Sequence, residues 1–309
     1  MDRRALALAP GVTTATHMLG PLTFYLAGRS PEALVLGADG ADAARSSRDT
    51  TLIMYSLSHF GLNLTGAGRY GEASAIFQEA RTFGRKYGAH SMLARATAMA
   101  AGLHLNMFDY EGAEALRAEA RELARSAAFA PPLVSSNIDA LLAFARCHNP
   151  GPAEQLLQQT VADATATGGW HQWLWQLRLA QARAELALAR NALDDAVAMA
   201  TEAIEMSRAR RRPKYEALGF MTRARSLHAA KRTQAAIADA RQAAEIATAI
   251  ADPSVQLLTL DTLLDLDGTD ELMLQARAVS ERMQNSLPDD ALRALFCASE
   301  VAQRVRGRR

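Results

Sequence analysis

The stretch TGAGRYGEAS, Thr65 to Ser74, decides how this chain is read. Gly66, Gly68 and Gly71 spell G-x-G-x-x-G, the spacing that cradles a pyrophosphate in dinucleotide-binding folds. That fingerprint works only after a strand and before a helix, inside a βαβ unit. The preceding residues 51–64, TLIMYSLSHFGLNL, space their apolar side chains helically, and no parallel-strand pattern occurs elsewhere. The stretch therefore reads as a turn between two helices, with Gly66 and Gly68 supplying positive-φ caps and the glycines serving chain reversal. No G-x-x-x-x-G-K-[ST] occurs either, so no phosphate loop of that kind is expected.

The turn has an echo. LAGRSPEA, Leu26 to Ala33, shares G-R-x-x-E-A with GAGRYGEA, Gly66 to Ala73, forty residues on. Steps of about the same size reach Ala113, Ala153, Ala196 and Ala236, each near the start of an amphipathic run. Seven residues beyond these alanines stand Gly40, Ala80, Ala120, Thr160, Ala203 and Ala243. Seven residues is two helical turns, so the two small positions share one face and let a neighbouring helix approach. A period of this length with two helices per unit predicts an all-α solenoid. Composition agrees: of 309 residues 49% are hydrophobic but only 6% aromatic, because alanine, the best helix former, supplies much of the apolar fraction.

On these residues the chain resembles the tetratricopeptide-repeat family. In FGLNLTGAGRYGEASAIFQEA, Gly61 takes the small position of the first helix, with Leu64 one turn on and Gly68 at the turn. Ala73, Phe77 and Ala80 follow in the second helix. Ala101, Leu141, Ala184 and Ala224 stand where Gly61 does in other units. Units of about 40 rather than 34 residues, and the stretch THMLGPLTFYLAGRSPEA, resemble the helical-repeat C-terminal regions of bacterial signalling ATPases. These include LuxR-type and maltotriose-activator-like regulators and cyclase-linked ATPases. The resemblance implies a right-handed α-α superhelix that senses a ligand or partner in a concave groove. The expected layout is a frayed N-terminus over 1–11, then six helix pairs over 12–252 (12–28/31–46, 48–66/70–87, 89–107/110–128, 132–147/151–167, 170–190/193–209 and 214–230/233–250). Final helices at 254–266, 270–285 and 288–305 form a cap over 253–309.

Helix phase then nominates the groove wall. Trp170, Trp173 and Trp175 fall in GGWHQWLWQLR. Spacing from Ala180 sends Trp170 and Trp173 to the core, and it sends the face His171, Trp175, Arg178, Gln181 and Glu185 to the groove. The same phase adds Tyr25, Tyr55, Ser58, Arg95, Asn106, Ser135, Arg146, Arg225 and His228. Four arginines against one acid suggest an anionic partner: a carboxylate, a phosphate or an acidic peptide tail. Packing alone would also use these tryptophans, and a solvated wall would also carry these arginines.

Other candidates carry less. The basic run SRARRRPK, Ser207 to Lys214, and the terminal VRGRR lack interleaved aromatics, so no nucleic-acid partner is expected. LLDLDGTDE places its glycine too early for a calcium loop and reads as a helix end followed by a capped helix start. His59, His90, His104 and His148 have no ligand spacing, so neither metal nor cofactor is expected, and no catalytic set can be placed. Cys147 and Cys297 make no disulfide framework, which points to a reducing cytoplasm. A net charge of +1 gives no field for nucleic acid or membrane, and no apolar run is long enough to span one. The sequence thus predicts a non-enzymatic cytoplasmic module that holds a peptide, a protein segment or a small anionic ligand. An enzyme using the groove, or a scaffold acting as a homodimer, is the alternative.

Overall fold

The structure, a computed structural model, describes residues 19–169 and 172–307. The expected frayed segment 1–11, and both Trp170 and His171, lie outside the described residues. Residues 19–26 are helical and pair with α1 (Ser30–Arg45). Five hairpins follow: α2 (Thr50–Gly66) with α3 (Tyr70–Lys86), α4 (His90–Asn106) with α5 (Tyr110–Ser126), α6 (Ala130–Arg146) with α7 (Ala153–Ala166), α8 (Gln172–Ala189) with α9 (Leu193–Arg210), and α10 (Pro213–Ala229) with α11 (Thr233–Ile250). Then come α12 (Pro253–Asp267), α13 (Asp270–Ser286), α14 (Asp290–Ala298) and α15 (Glu300–Gly307). There is no strand among the described residues. The first helices of successive pairs pack on one another from α2 to α12, and the second helices lie outside them. The chain is an all-α, tetratricopeptide-like solenoid of roughly 40-residue helix pairs.

The repeat is more regular than its glycines suggest. Helices α2 to α6 start at 50, 70, 90, 110 and 130, and α9 to α12 start at 193, 213, 233 and 253. Between helices a residue in the left-handed conformation recurs: Gly28, Gly68 and Gly88, then Phe108, Ala128, His148, Asn191, Arg211, Lys231 and Ala251. After each of these but Ala251 the next residue turns back onto the last helical turn, as Arg69 N–H does to the Leu64 carbonyl at 2.9 Å and Arg232 N–H to that of Leu227 at 2.8 Å. This is the Schellman closure, which glycine favours and other residues adopt at a cost. The period is therefore kept where the glycine signature is lost. It continues into α12, which the sequence assigned to the cap. The helix expected over 288–305 is broken at Ser299, whose extended backbone separates α14 from α15.

Gly66 does not have the positive φ expected of it. It is helical, and its bareness lets Tyr25 in: an added Cβ would stand 2.3 Å from the ring. Gly68 has φ +73, and a Cβ there would meet Pro253 at 2.5 Å. Gly61 faces Phe77, at 2.8 Å from such a Cβ, which is the close helix approach that a small residue permits. The G-x-G-x-x-G stretch is thus both a turn and a seat for the far end of the chain.

That seating closes the solenoid on itself. One apolar cluster joins Leu64, Tyr70, Phe77, Leu103, Met107 and Phe108 to Leu257, Leu260, Val279, Met283, Phe296 and Val301. The rings of Phe108 and Phe296 stack with centroids 6.1 Å apart. Ser30 Oγ donates to the Ile250 carbonyl at 3.4 Å. Helix α12 is consequently buried on nearly every side, polar Ser254, Thr259, Asp261 and Thr262 included. The sequence pattern suggested an open concave groove; in the structure the two ends of the helical array meet and leave a partly open central cavity.

Two substitutions test this account in urea unfolding. Gly68→Ala, strained at φ and crowded by Pro253, should lose about 1–3 kcal/mol. Ala128→Gly relieves a left-handed alanine (φ 48) on an exposed turn and should gain up to about 1 kcal/mol.

Candidate functional site

Closure leaves a central chamber of about 190 Å³. Every first helix of a pair contributes to its wall, from residues 19–26 through α12. Most of the wall is apolar, with Leu22, Leu62, Leu142, Trp175, Leu218 and Leu258 among its side chains. Polar groups reach it at Tyr25, Arg95, Asn106, Ser135, Asp139, Arg146, Arg178, Lys214 and Tyr215. A second cavity, of about 380 Å³, lies among the C-terminal ends of α6, α8, α10 and α12. Arg146, Glu185, Arg225 and His228 line it. Arg146 borders both spaces.

Two of the four arginines expected to await an anion, Arg146 and Arg178, are satisfied from within. Arg178 bonds Asp139 at 2.5 Å and the Ser135 hydroxyl at 2.7 Å. Arg146 holds Glu185 through two bonds, 2.8 and 2.9 Å long. Gln181 is buried, not on the chamber wall: its amide donates to Glu185, to the Leu218 carbonyl and to Thr222. Burial alone would raise the Glu185 carboxyl and lower the Arg146 guanidinium. Their mutual attraction wins, so Glu185 is held below its ordinary pKa and Arg146 above its own. Arg178 is likewise raised, Asp139 outweighing its burial.

Asp139, Lys214 and Tyr215, all on the chamber wall, were missed in the sequence. Asp139 sits one helical turn after Ser135 on the same face and could have been found by phase. Lys214 was read as part of a solvated basic turn. It is instead the hub of the closure, bonding Asp252 at 2.6 Å and reaching Tyr25 Oη at 3.3 Å and Asn106 Oδ1 at 3.4 Å. Burial works against its charge, but Asp252 dominates and raises its pKa.

Trp175 is only 6% exposed and packs with Val134, Ile138 and Leu179, while one part of it borders the chamber. Trp173, expected in the core, is half-buried beneath the guanidinium of Arg212 at 4.8 Å and near that of Arg210 at 5.8 Å. The basic run thus stacks on an aromatic that its own sequence lacks, supplied by α8. Ser58 is buried. Tyr55 does not reach the chamber but lies behind Arg95, whose guanidinium carbon is 4.7 Å from its ring centre.

Arg95 stands apart from the other cations. Among the described residues no carboxylate bonds it. Its Nη2 lies 3.2 Å from His59 Nε2, and its Nε is buried without a hydrogen-bond partner. Desolvation lowers its pKa, opposed only by Tyr55. Among the described residues no cluster of histidine, cysteine and carboxylates has the makings of a metal site. No helix there is long and apolar enough to cross a membrane. Cys147 and Cys297 are both unbridged.

No family model matches the chain, and no curated protein matches it. Solved structures do. The apo form of RapI is 9% identical over 96% of this chain and 84% of its own, with a TM-score of 0.48. Aspartyl phosphate phosphatase F from Bacillus subtilis is 12% identical over 97% and 83%, with a TM-score of 0.46. The TPR2AB domain of yeast Sti1, in its pHSP90 complex, is 18% identical over 96% and 98%, with a TM-score of 0.34. At these values the architecture rests on the packing described above.

The buried pair gives a pH test. A carboxyl whose folded pKa is depressed contributes stability above its unfolded value, near 4.3, and loses that contribution as pH falls through the folded one. Glu185→Gln strands Arg146 and should cost about 3 kcal/mol at neutral pH. The gap from wild type in urea midpoints should then narrow as the solution is acidified below about pH 4.

Proposed function

We propose that the chain is a non-enzymatic binding module whose ligand, a small molecule or the end of a peptide, occupies the central chamber. One observation carries this reading: seven helices, from residues 19–26 to α12, line one partly open space with a mainly apolar wall and a few fixed polar groups, the usual composition of a ligand site. The non-enzymatic part is supported by the wall chemistry. Arg146, Arg178 and Lys214 are each engaged by a carboxylate, and no described histidine lines the chamber.

A role in bacterial cytoplasmic regulation is supported by the resemblance of THMLGPLTFYLAGRSPEA to the repeat regions of signalling ATPases. The relay would run through the closure. Lys214 links the first helix, α4 and the start of α12 around the chamber, so an occupant that alters its surroundings alters how the two ends meet. Repeats coupled only through shared faces pass such a change along as a small change of superhelical pitch.

Native mass spectrometry of the protein from its own cytosol tests the reading. The wild type should carry a small-molecule or short-peptide adduct. Ala98→Phe, which fills the chamber from α4, should carry none while still unfolding cooperatively. An adduct that survives in the filled variant would place the ligand elsewhere and overturn the proposal.

A further inference from the structure

We propose that the chamber ends in a carboxylate site built on Arg95, and that its ligand is a monocarboxylate with a compact apolar body. The inference rests on the binding reading above and narrows it to a ligand class.

Charge matching leads to it. Four cations reach the chamber: Arg95, Arg146, Arg178 and Lys214. Three are neutralised by Glu185, Asp139 and Asp252 at 2.8, 2.5 and 2.6 Å. The wall is left with one uncompensated positive charge, and a single carboxylate is its complement. A ligand with two or more negative charges would find no second counter-charge.

The geometry at Arg95 is that of a half-built site. The Tyr55 ring covers one face of the guanidinium. Arginine is donor-only, so His59 Nε2 accepts and that ring is neutral. His59 itself is fully buried and rigidly placed for this. Face stacking leaves the in-plane N–H groups, which form a fork suited to a planar carboxylate. A buried guanidinium without a carboxylate has lost hydration that a ligand carboxylate would replace. The lowered pKa of Arg95 agrees with that loss.

Size sets the body. A dry apolar cavity of about 150 Å³ holds benzene. The chamber, at about 190 Å³, therefore holds one ring or a short branched chain with its carboxylate. A free aromatic or branched acid and a peptide C-terminus with an apolar last residue offer the same chemistry.

Calorimetric titration with phenylacetate, its neutral isostere phenylacetamide, and the tripeptide Ala-Ala-Phe with a free C-terminus tests the assignment and separates the sources. Wild type should bind phenylacetate or the tripeptide at least roughly 10-fold tighter than phenylacetamide. Arg95→Gln should weaken the acid roughly 10- to 100-fold and leave phenylacetamide nearly unchanged. Arg95→Lys should recover part of the loss, and a urea midpoint for each variant checks that it folds. If wild type binds phenylacetamide as tightly as phenylacetate, or Arg95→Gln weakens both alike, the carboxylate site is overturned while chamber binding stands. If no probe binds and the wild type carries no adduct in native mass spectrometry, chamber binding falls as well.

Discussion

The approach of α12 to the turn at Gly68 governs the rest of this structure. Pro253 lies where any side chain on Gly68 would have to go, and Tyr25 lies where one on Gly66 would go. Removing those side chains lets the last hairpin reach the first ones. Apolar contacts between Phe108 and Phe296, and between the α2–α4 and α12–α15 surfaces, then take the interface out of water. A solenoid that stopped short would leave its inner helices facing an open groove. Closure narrows that groove into a central chamber whose charged side chains are largely buried, and the chemistry of the wall follows from it.

In such a space an unmatched charge is costly, and matched pairs dominate. Arg146 with Glu185 and Arg178 with Asp139 join neighbouring first helices across about 40 residues of sequence. They work as staples between repeats. Lys214 with Asp252 does the same at the seam, with Tyr25 and Asn106 adding partners from the beginning of the chain. Against this background Arg95 is the exception, held by an aromatic face and an imidazole where the others have carboxylates.

The sequence made the architecture legible because period and small-residue phase are local properties. Ala73 and Ala80 lie on one face of α3, and both are fully buried. Groove phase was partly legible too: Tyr25, Arg95, Asn106, Ser135, Arg146, Trp175 and Arg178 all reach the chamber. Pairing was not. Whether Arg178 faces solvent or Asp139 depends on the angle between α6 and α8, which neither helix encodes alone. Lys214 looked solvated because its neighbours Arg210 and Arg211 are exposed. Only the closure, a contact between the two ends of the chain, buries it. Trp173 departed from its phase because Arg212, from the next turn along, covers it.

Closure also fixes how many hairpins can stand between the segments that meet. An open solenoid can gain or lose a hairpin, since each contacts only its neighbours. Here the first and last units must meet in register, with Ser30 reaching Ile250 and Gly68 receiving Pro253. One hairpin more would push α12 past its seat, and one fewer would leave a gap in the ring. The number of hairpins between Ser30 and Pro253 is therefore a geometric requirement of the chamber.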